Sequence, residues 1–172
     1  MKKGLIHLYY GKGKGKSTAA MGLALRAAGA GLDVVVAQFM KPGTSSEIKM
    51  LEQIPNVRVI RVEGKVKFSF NMTDEDKVQA TKAHNDLLAK AAAADCDLLV
   101  LDESINAYRL DLIDKDALKQ AVLDNPETRE MVLTGRGPDD FFIEHADYVT
   151  EMVCHKHPFK EQGIAGRLGV EY

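Results

Sequence analysis

Tyr9-Tyr10-Gly11-Lys12-Gly13-Lys14-Gly15-Lys16-Ser17-Thr18 follows a short apolar run and leads into an alanine- and leucine-rich stretch, so it joins a strand to a helix. That is the context a phosphate-binding loop requires. Glycines let the backbone curl until successive N–H groups point inward at phosphate oxygens. The helix that follows adds its free N–H groups and the positive end of its dipole. Lys16 is placed to neutralise phosphate charge, and the Ser17 hydroxyl to ligate Mg²⁺. Gly11, Lys12, Gly13, Lys14, Gly15 and Thr18 complete the candidate nucleotide-binding set. The register is offset by one residue. Counting back from Gly15-Lys16-Ser17, the first glycine of GxxxxGK[ST] falls on Tyr10, and glycine comes at Gly11. A merely flexible glycine–lysine turn is the alternative, and the alignment of strand, loop and helix argues against it.

Outward from the loop, apolar runs recur at residues 5–9, 34–39, 57–62, 98–101, 131–133 and 148–153, each closed by a turn or a polar residue. Several are continuous rather than alternating, as in parallel strands covered on both faces. Helical patterns lie between them. Residues 18–28 stop near Gly29 and Gly31. Thr44-Ser45-Ser46-Glu47 has capping-box spacing and opens a helix towards Gln53. Thr73 precedes three acids suited to a helix start, and that helix runs towards Ala94 over a core stripe of Val78, Leu87 and Ala91. Another spans 114–123 before Pro126. Strand–helix alternation throughout predicts an α/β three-layer, P-loop NTPase-like fold with a mainly parallel sheet of about six strands, as one domain over residues 1–172.

The bulk composition narrows the function. The chain has 172 residues, 45 % hydrophobic and 28 % charged, the balance of a globular protein. A formal net charge of −2 supplies no overall field for nucleic acid or anionic membrane, so no nucleic-acid or membrane partner is expected. Cys96 and Cys154 lie far apart without CxxC spacing, which suits a reducing compartment, and the cytoplasm is the expected location. His155 and His157 lack a third ligand nearby and read as surface or packing residues.

A second chemical signal is Leu98-Leu99-Val100-Leu101-Asp102-Glu103, a buried strand ending in two carboxylates beside the loop, where a metal could bridge them to phosphates. These two motifs alone leave the reaction open, because one fold carries many. A kinase or hydrolase and a non-catalytic nucleotide-gated module both remain compatible with them.

Further residues fall in an order that resembles one family over essentially the whole chain. They are Gly11 to Thr18, Gln38-Phe39-Met40-Lys41, Asp102-Glu103, Thr134-Gly135-Arg136-Gly137, Ala146-Asp147, Lys156-His157-Pro158-Phe159 and the tail Gly169-Val170-Glu171-Tyr172. The chain resembles the P-loop ATP:corrinoid adenosyltransferases that act on cob(I)alamin or cob(I)yrinic acid a,c-diamide, and the shifted loop glycine matches too. The resemblance implies transfer of the 5′-deoxyadenosyl group of ATP to cobalt(I) of a reduced corrinoid, with Mg²⁺, release of triphosphate, a reduced flavoprotein as electron donor and a homodimer. It casts Lys14, Lys16 and Arg136 as groups acting on the nucleotide, and Glu103 as the metal ligand beside Ser17. Phe68 and Phe70 resemble the aromatic pair that closes the lower face of the corrin ring. Glu47 resembles the acid of a Gly-Glu pair, with Ser46 in place of the glycine, and a capping-box role explains it equally well. Asn106, one turn beyond Glu103, either faces the same cleft or is a plain helix residue.

Overall fold

A computed structural model describes residues 3–41, 45–62 and 72–172. Phe68, Phe70 and Thr44 lie outside the described residues. Six strands form one sheet in the order β3-β2-β4-β5-β1-β6, and all five pairings are parallel. They are β1 Ile6–Tyr10, β2 Val34–Gln38, β3 Val57–Arg61, β4 Leu98–Asp102, β5 Glu130–Gly135 and β6 Tyr148–Glu151. The helices are α1 Lys16–Gly29, α2 Ser46–Leu51, α3 Asp74–Ala92, α4 Ser104–Arg109, α5 Lys115–Leu123, α6 Asp140–His145 and α7 Pro158–Gln162.

The continuous apolar runs have a direct explanation. Successive side chains of a strand point to opposite faces, and here both faces are covered. Leu98 and Val100 pack with Ala20, Ala24 and Val36 under α1. Leu99 and Leu101 pack with Leu87, Ile105 and Leu118 under the helices on the other side. A parallel sheet also brings every strand's carboxyl end to one edge, and open α/β folds place ligands there. Tyr10, Gln38, Asp102, Gly135 and Glu151 are those ends.

Three local expectations are corrected. Val78 was expected on the core stripe of α3 but is 70 % exposed. It precedes Leu87 by nine residues, which at 3.6 residues per turn is two and a half turns, so the two face opposite ways. The buried face is His84, Leu87, Leu88 and Ala91. The cap of α2 is Ser45, whose side chain makes no capping bond, so Glu47 is not at the position that closes a capping box. The last strand ends at Glu151 rather than 153, because Met152 and Val153 turn to support the phosphate loop. The helix expected after Thr73 does start there with its three acids in the first turn, and Thr73 and Asp76 close a full capping box.

Candidate nucleotide and metal site

The loop is shaped by its contact with the chain that leaves β6. The N–H of Gly13 donates to Met152 O at 2.6 Å, and the N–H of Met152 donates to Tyr10 O at 2.8 Å. Gly11 has φ +112°, and a Cβ there would stand 2.5 Å from Met152 O. A Cβ on Gly13 would stand 2.6 Å from the same oxygen and 2.8 Å from Val153 O. Both positions therefore exclude any side chain, one of them by conformation as well. The offset of the first glycine from Tyr10 to Gly11 is thus matched to this backing segment.

Gly15, in the left-handed region, ends the loop, and α1 begins at Lys16, two residues earlier than its apolar pattern indicates. Lys16 is buried and its Nζ donates to Gly13 O at 2.8 Å. Burial, and then the charge of Arg136, lower its pKa, opposed by Glu103 and Asp102. A polyanion in this cleft would offset the repulsion from Arg136 and favour the charged ammonium.

Across the cleft, Asp102 is fully buried at the end of β4. Its Oδ1 accepts from Thr134 Oγ1 at 2.8 Å, and its Oδ2 from Gln38 Nε2 at 3.1 Å and Lys41 Nζ at 2.9 Å. Burial opposes its charge, but Lys41, with the Ser17 and Thr134 hydroxyls, outweighs it and holds the carboxyl below its ordinary pKa. Glu103 follows in the left-handed region at φ 64° and caps α4. Burial, and then Asp102, push its pKa up. Its backbone N–H donates to Thr134 Oγ1 at 2.8 Å, and its carboxylate accepts from Asn106 Nδ2.

Lys14, Lys16, Ser17, Thr18, Glu47 and Glu103 together line a cleft of about 530 Å³. Lys41 and the tail residues Gly169 to Tyr172 complete its wall. The Lys14 ammonium donates to Val170 O at 2.7 Å, and Ser46 Oγ to Tyr172 O at 3.1 Å. Arg136 and Lys12 lie on the other flank of the loop, in a basic cavity of about 800 Å³ with Arg109, Lys160 and Phe159. Lys16 reaches both sides, since it also lines a third cavity of about 510 Å³ with Lys12 and Arg136. Asn106 spends both ends of its amide on the protein, on Glu103 and on the backbone N–H of Arg136 at 2.9 Å, so it ties the two together. His157 caps α7, accepting from the Phe159 N–H at 3.3 Å.

Lys41 and the separate role of Asp102 were not legible as site features. Lys41 sits on the loop after β2, and only the neighbouring position of β4 in the sheet brings it to Asp102. The available signal was a lone lysine just past the carboxyl end of an apolar strand, on the edge where parallel sheets bind ligands.

The donors present suit a hard divalent cation. Mg²⁺ is ordinarily held by one or two carboxylates plus substrate phosphates, not by a full protein cage. Here Ser17 and Glu103 line the same cleft, and the buried Asp102 shares the Lys41 ammonium with Ser17. No group of three or more His, Cys, Asp or Glu that could hold a metal ion occurs among the described residues. The Lys41 ammonium, 2.9 Å from Asp102 Oδ2 and 3.1 Å from Ser17 Oγ, marks the spot as one that attracts positive charge. Gln38 Oε1 is buried beside it without a hydrogen-bond partner among the described residues.

Comparison with known proteins adds the chemistry. The sequence model of the family ATP:corrinoid adenosyltransferase BtuR/CobO/CobP matches residues 2–172. The chain is 34 % identical over 174 residues to a corrinoid adenosyltransferase of Pseudomonas aeruginosa, an overlap of 99 % of this chain and 85 % of the relative. It is 33 % identical over 177 residues to a corrinoid adenosyltransferase of Escherichia coli K12, covering 99 % and 87 %. A Salmonella typhimurium relative, corrinoid adenosyltransferase CobA, is 32 % identical over 175 residues, again covering 99 % and 87 %.

Proposed function

The chain belongs to the ATP:corrinoid adenosyltransferase family and transfers the adenosyl group of ATP to a reduced corrinoid; from that premise we propose how its residues divide the work. Cobalt(I) of the corrinoid is the nucleophile. Its electron pair forms the Co–C bond to the 5′ carbon of ATP, the C5′–O bond breaks, and that bonding pair leaves with inorganic triphosphate. The protein therefore needs no nucleophilic side chain of its own. Its task is to hold the reactants in line and to stabilise charge that accumulates on the triphosphate.

Lys16, the loop N–H groups and the α1 N-terminus take that charge, with Lys14 turning from the Val170 carbonyl to the phosphates. Arg136 approaches from the opposite flank, kept in place by Asn106. Ser17 and Glu103, with Asp102 beside them, would hold Mg²⁺, which when bound neutralises triphosphate oxygens. Phe68 and Phe70 close the lower face of the corrin ring. A reduced flavoprotein donor, a homodimeric state and a cytoplasmic location complete the reading. Its main support is the buried Lys16 ammonium in a glycine cradle, sharing its cleft with Ser17 and Glu103, in a chain matched to the family over residues 2–172.

Product analysis tests the reading. The protein, ATP, Mg²⁺ and chemically reduced corrinoid, mixed without oxygen, should yield triphosphate and a light-sensitive cobalt–carbon adduct. ADP with phosphate would instead indicate a kinase or hydrolase, and unchanged ATP a binding module. Run from Co(II) with a mild reductant, the same assay should fall steeply in Phe70→Ala. From pre-formed Co(I) it should fall much less, because the lower-face aromatics matter for reduction and not for attack. Equal losses from both starting states would remove Phe70 from that role.

The metal assignment has its own test. Ser17→Ala and Glu103→Ala should each shift the Mg²⁺ titration of activity to higher concentration. An unmoved curve in Glu103→Ala would leave that acid only as the partner of Asn106.

A further inference from the structure

Lys41 is held in place by more than its own ion pair. Its backbone N–H donates to Phe39 O at 2.7 Å, and the N–H of buried Phe39 donates to Asp102 O at 2.9 Å. Between them Met40 adopts φ 58°, a conformation that non-glycine residues rarely take. The Met40 N–H donates to Nε2 of His84 at 3.3 Å, and the other ring nitrogen of His84 bonds to Leu112 O at 2.7 Å. Burial holds the His84 pKa down, which favours the neutral ring that can accept from Met40. A tight turn clamped from β4 and from α3 thus aims Lys41 at two oxygens, Ser17 Oγ and Asp102 Oδ2. A third partner stands a little farther off, Glu47 Oε1 at 3.9 Å.

We propose that Lys41 is a tethered counter-cation: its ammonium holds the divalent-cation position until nucleotide and metal arrive together, and then withdraws towards Glu47. This rests on the metal reading given above. Ser17 Oγ and Asp102 Oδ2 cannot serve an ammonium and a metal ion at once, because two cations sharing the same oxygens would stand within a few ångströms of each other beside a fully buried carboxylate. Without a cation the fully buried Asp102 carboxylate is costly, so the free protein gains from carrying its own. The polyphosphate changes the balance by adding negative charge at the loop, enough to accommodate both the divalent ion and the displaced lysine. Glu47, on α2 at the rim of the cleft, gives the lysine an acid to move to. Lys41 is therefore a positioning residue that makes metal binding conditional on the nucleotide.

Mn²⁺ binding followed by electron paramagnetic resonance, with and without inorganic triphosphate, reads this without turnover. Wild type should bind Mn²⁺ weakly alone and ~10-fold or more tightly with triphosphate, a coupling of ordinary size for linked sites. Lys41→Met should bind Mn²⁺ tightly alone and lose most of that coupling. Lys41→Arg, which keeps the charge, should stay weak alone. The melting temperature of Lys41→Met should drop in metal-free buffer and recover with Mn²⁺ more than wild type gains, so a variant that folds only with metal also supports the proposal. Equal Mn²⁺ affinity of triphosphate-free wild type and Lys41→Met overturns the counter-cation role and leaves the metal site standing. If no protein binds Mn²⁺ even with triphosphate, the metal reading fails and this role with it.

Discussion

Lys16→Ala is expected to slow adenosylation ~10²–10³-fold, even with fully reduced corrinoid supplied, while the protein stays folded. The size follows from where charge develops. As C5′–O breaks, the triphosphate gains negative charge, and a preorganised, buried donor acts on that charge more strongly than on bound ATP. Lys16 is suited to this by its burial and its fixed bond to Gly13 O, which leave little to reorganise when the bond breaks. Alanine keeps the helix, since it has the best helix propensity, and only the ammonium is lost. The measurement is single-turnover formation of the adduct from Co(I), beside a circular dichroism spectrum. Turnover within a few-fold of wild type in a folded variant would mean that other groups carry the leaving group.

Asp102→Ala should cost about 3 kcal/mol of stability in metal-free buffer, the lower end of what breaking a buried ion pair costs, because Lys41 keeps some exposure to water. Three donors lose their acceptor together: Lys41 Nζ, Gln38 Nε2 and Thr134 Oγ1. The Thr134 hydroxyl also accepts the N–H that starts the Glu103 turn, so damage should spread to α4. Urea denaturation reads this as a lower midpoint at unchanged slope. The pH dependence has a definite sign. The Asp102 pKa is depressed in the folded protein, so its contribution is complete above the unfolded carboxyl value of about 3.9 and disappears as pH falls through the folded value. Lys41 is raised, so its share persists up to about 10.4 and is lost as pH climbs through the folded value. The gap between wild type and variant should thus be flat at neutral pH and narrow only in acid or strong alkali. A variant as stable as wild type at pH 7 would refute the pair's role.

What could be read in advance followed from local chemistry. Val34 to Val36 and Leu98 to Leu101 announce buried parallel strands because both of their faces are apolar. Gly11 to Ser17 announces an anion cradle because glycines, lysines and a helix start occur in one short segment. What could not be read depends on strand order. Asp102 and Glu103 are neighbours with similar side chains, yet one is buried in the sheet with an ammonium and the other turns into a left-handed cap. That division arises from β2 lying against β4 and from Thr134 on β5, and no spacing along the chain encodes either. Val78 failed for a simpler reason. Its place on α3 is two and a half turns from Leu87, so an apolar side chain alone does not put it on the buried stripe.

The backing of Gly11 and Gly13 by Met152 also bears on how the protein is made. A ribosome delivers the glycine–lysine segment first, and the carbonyl that shapes it arrives some 140 positions later. Pairing of β1 with β5 and β6 is equally distant in sequence, and such closures are slow because the chain must lose much of its freedom before any contact forms. The shape of the phosphate loop therefore depends on a long-range closure and not on its own segment alone. A nascent chain stalled short of Met152 would carry the entire motif and still lack the surface that curls it around phosphate.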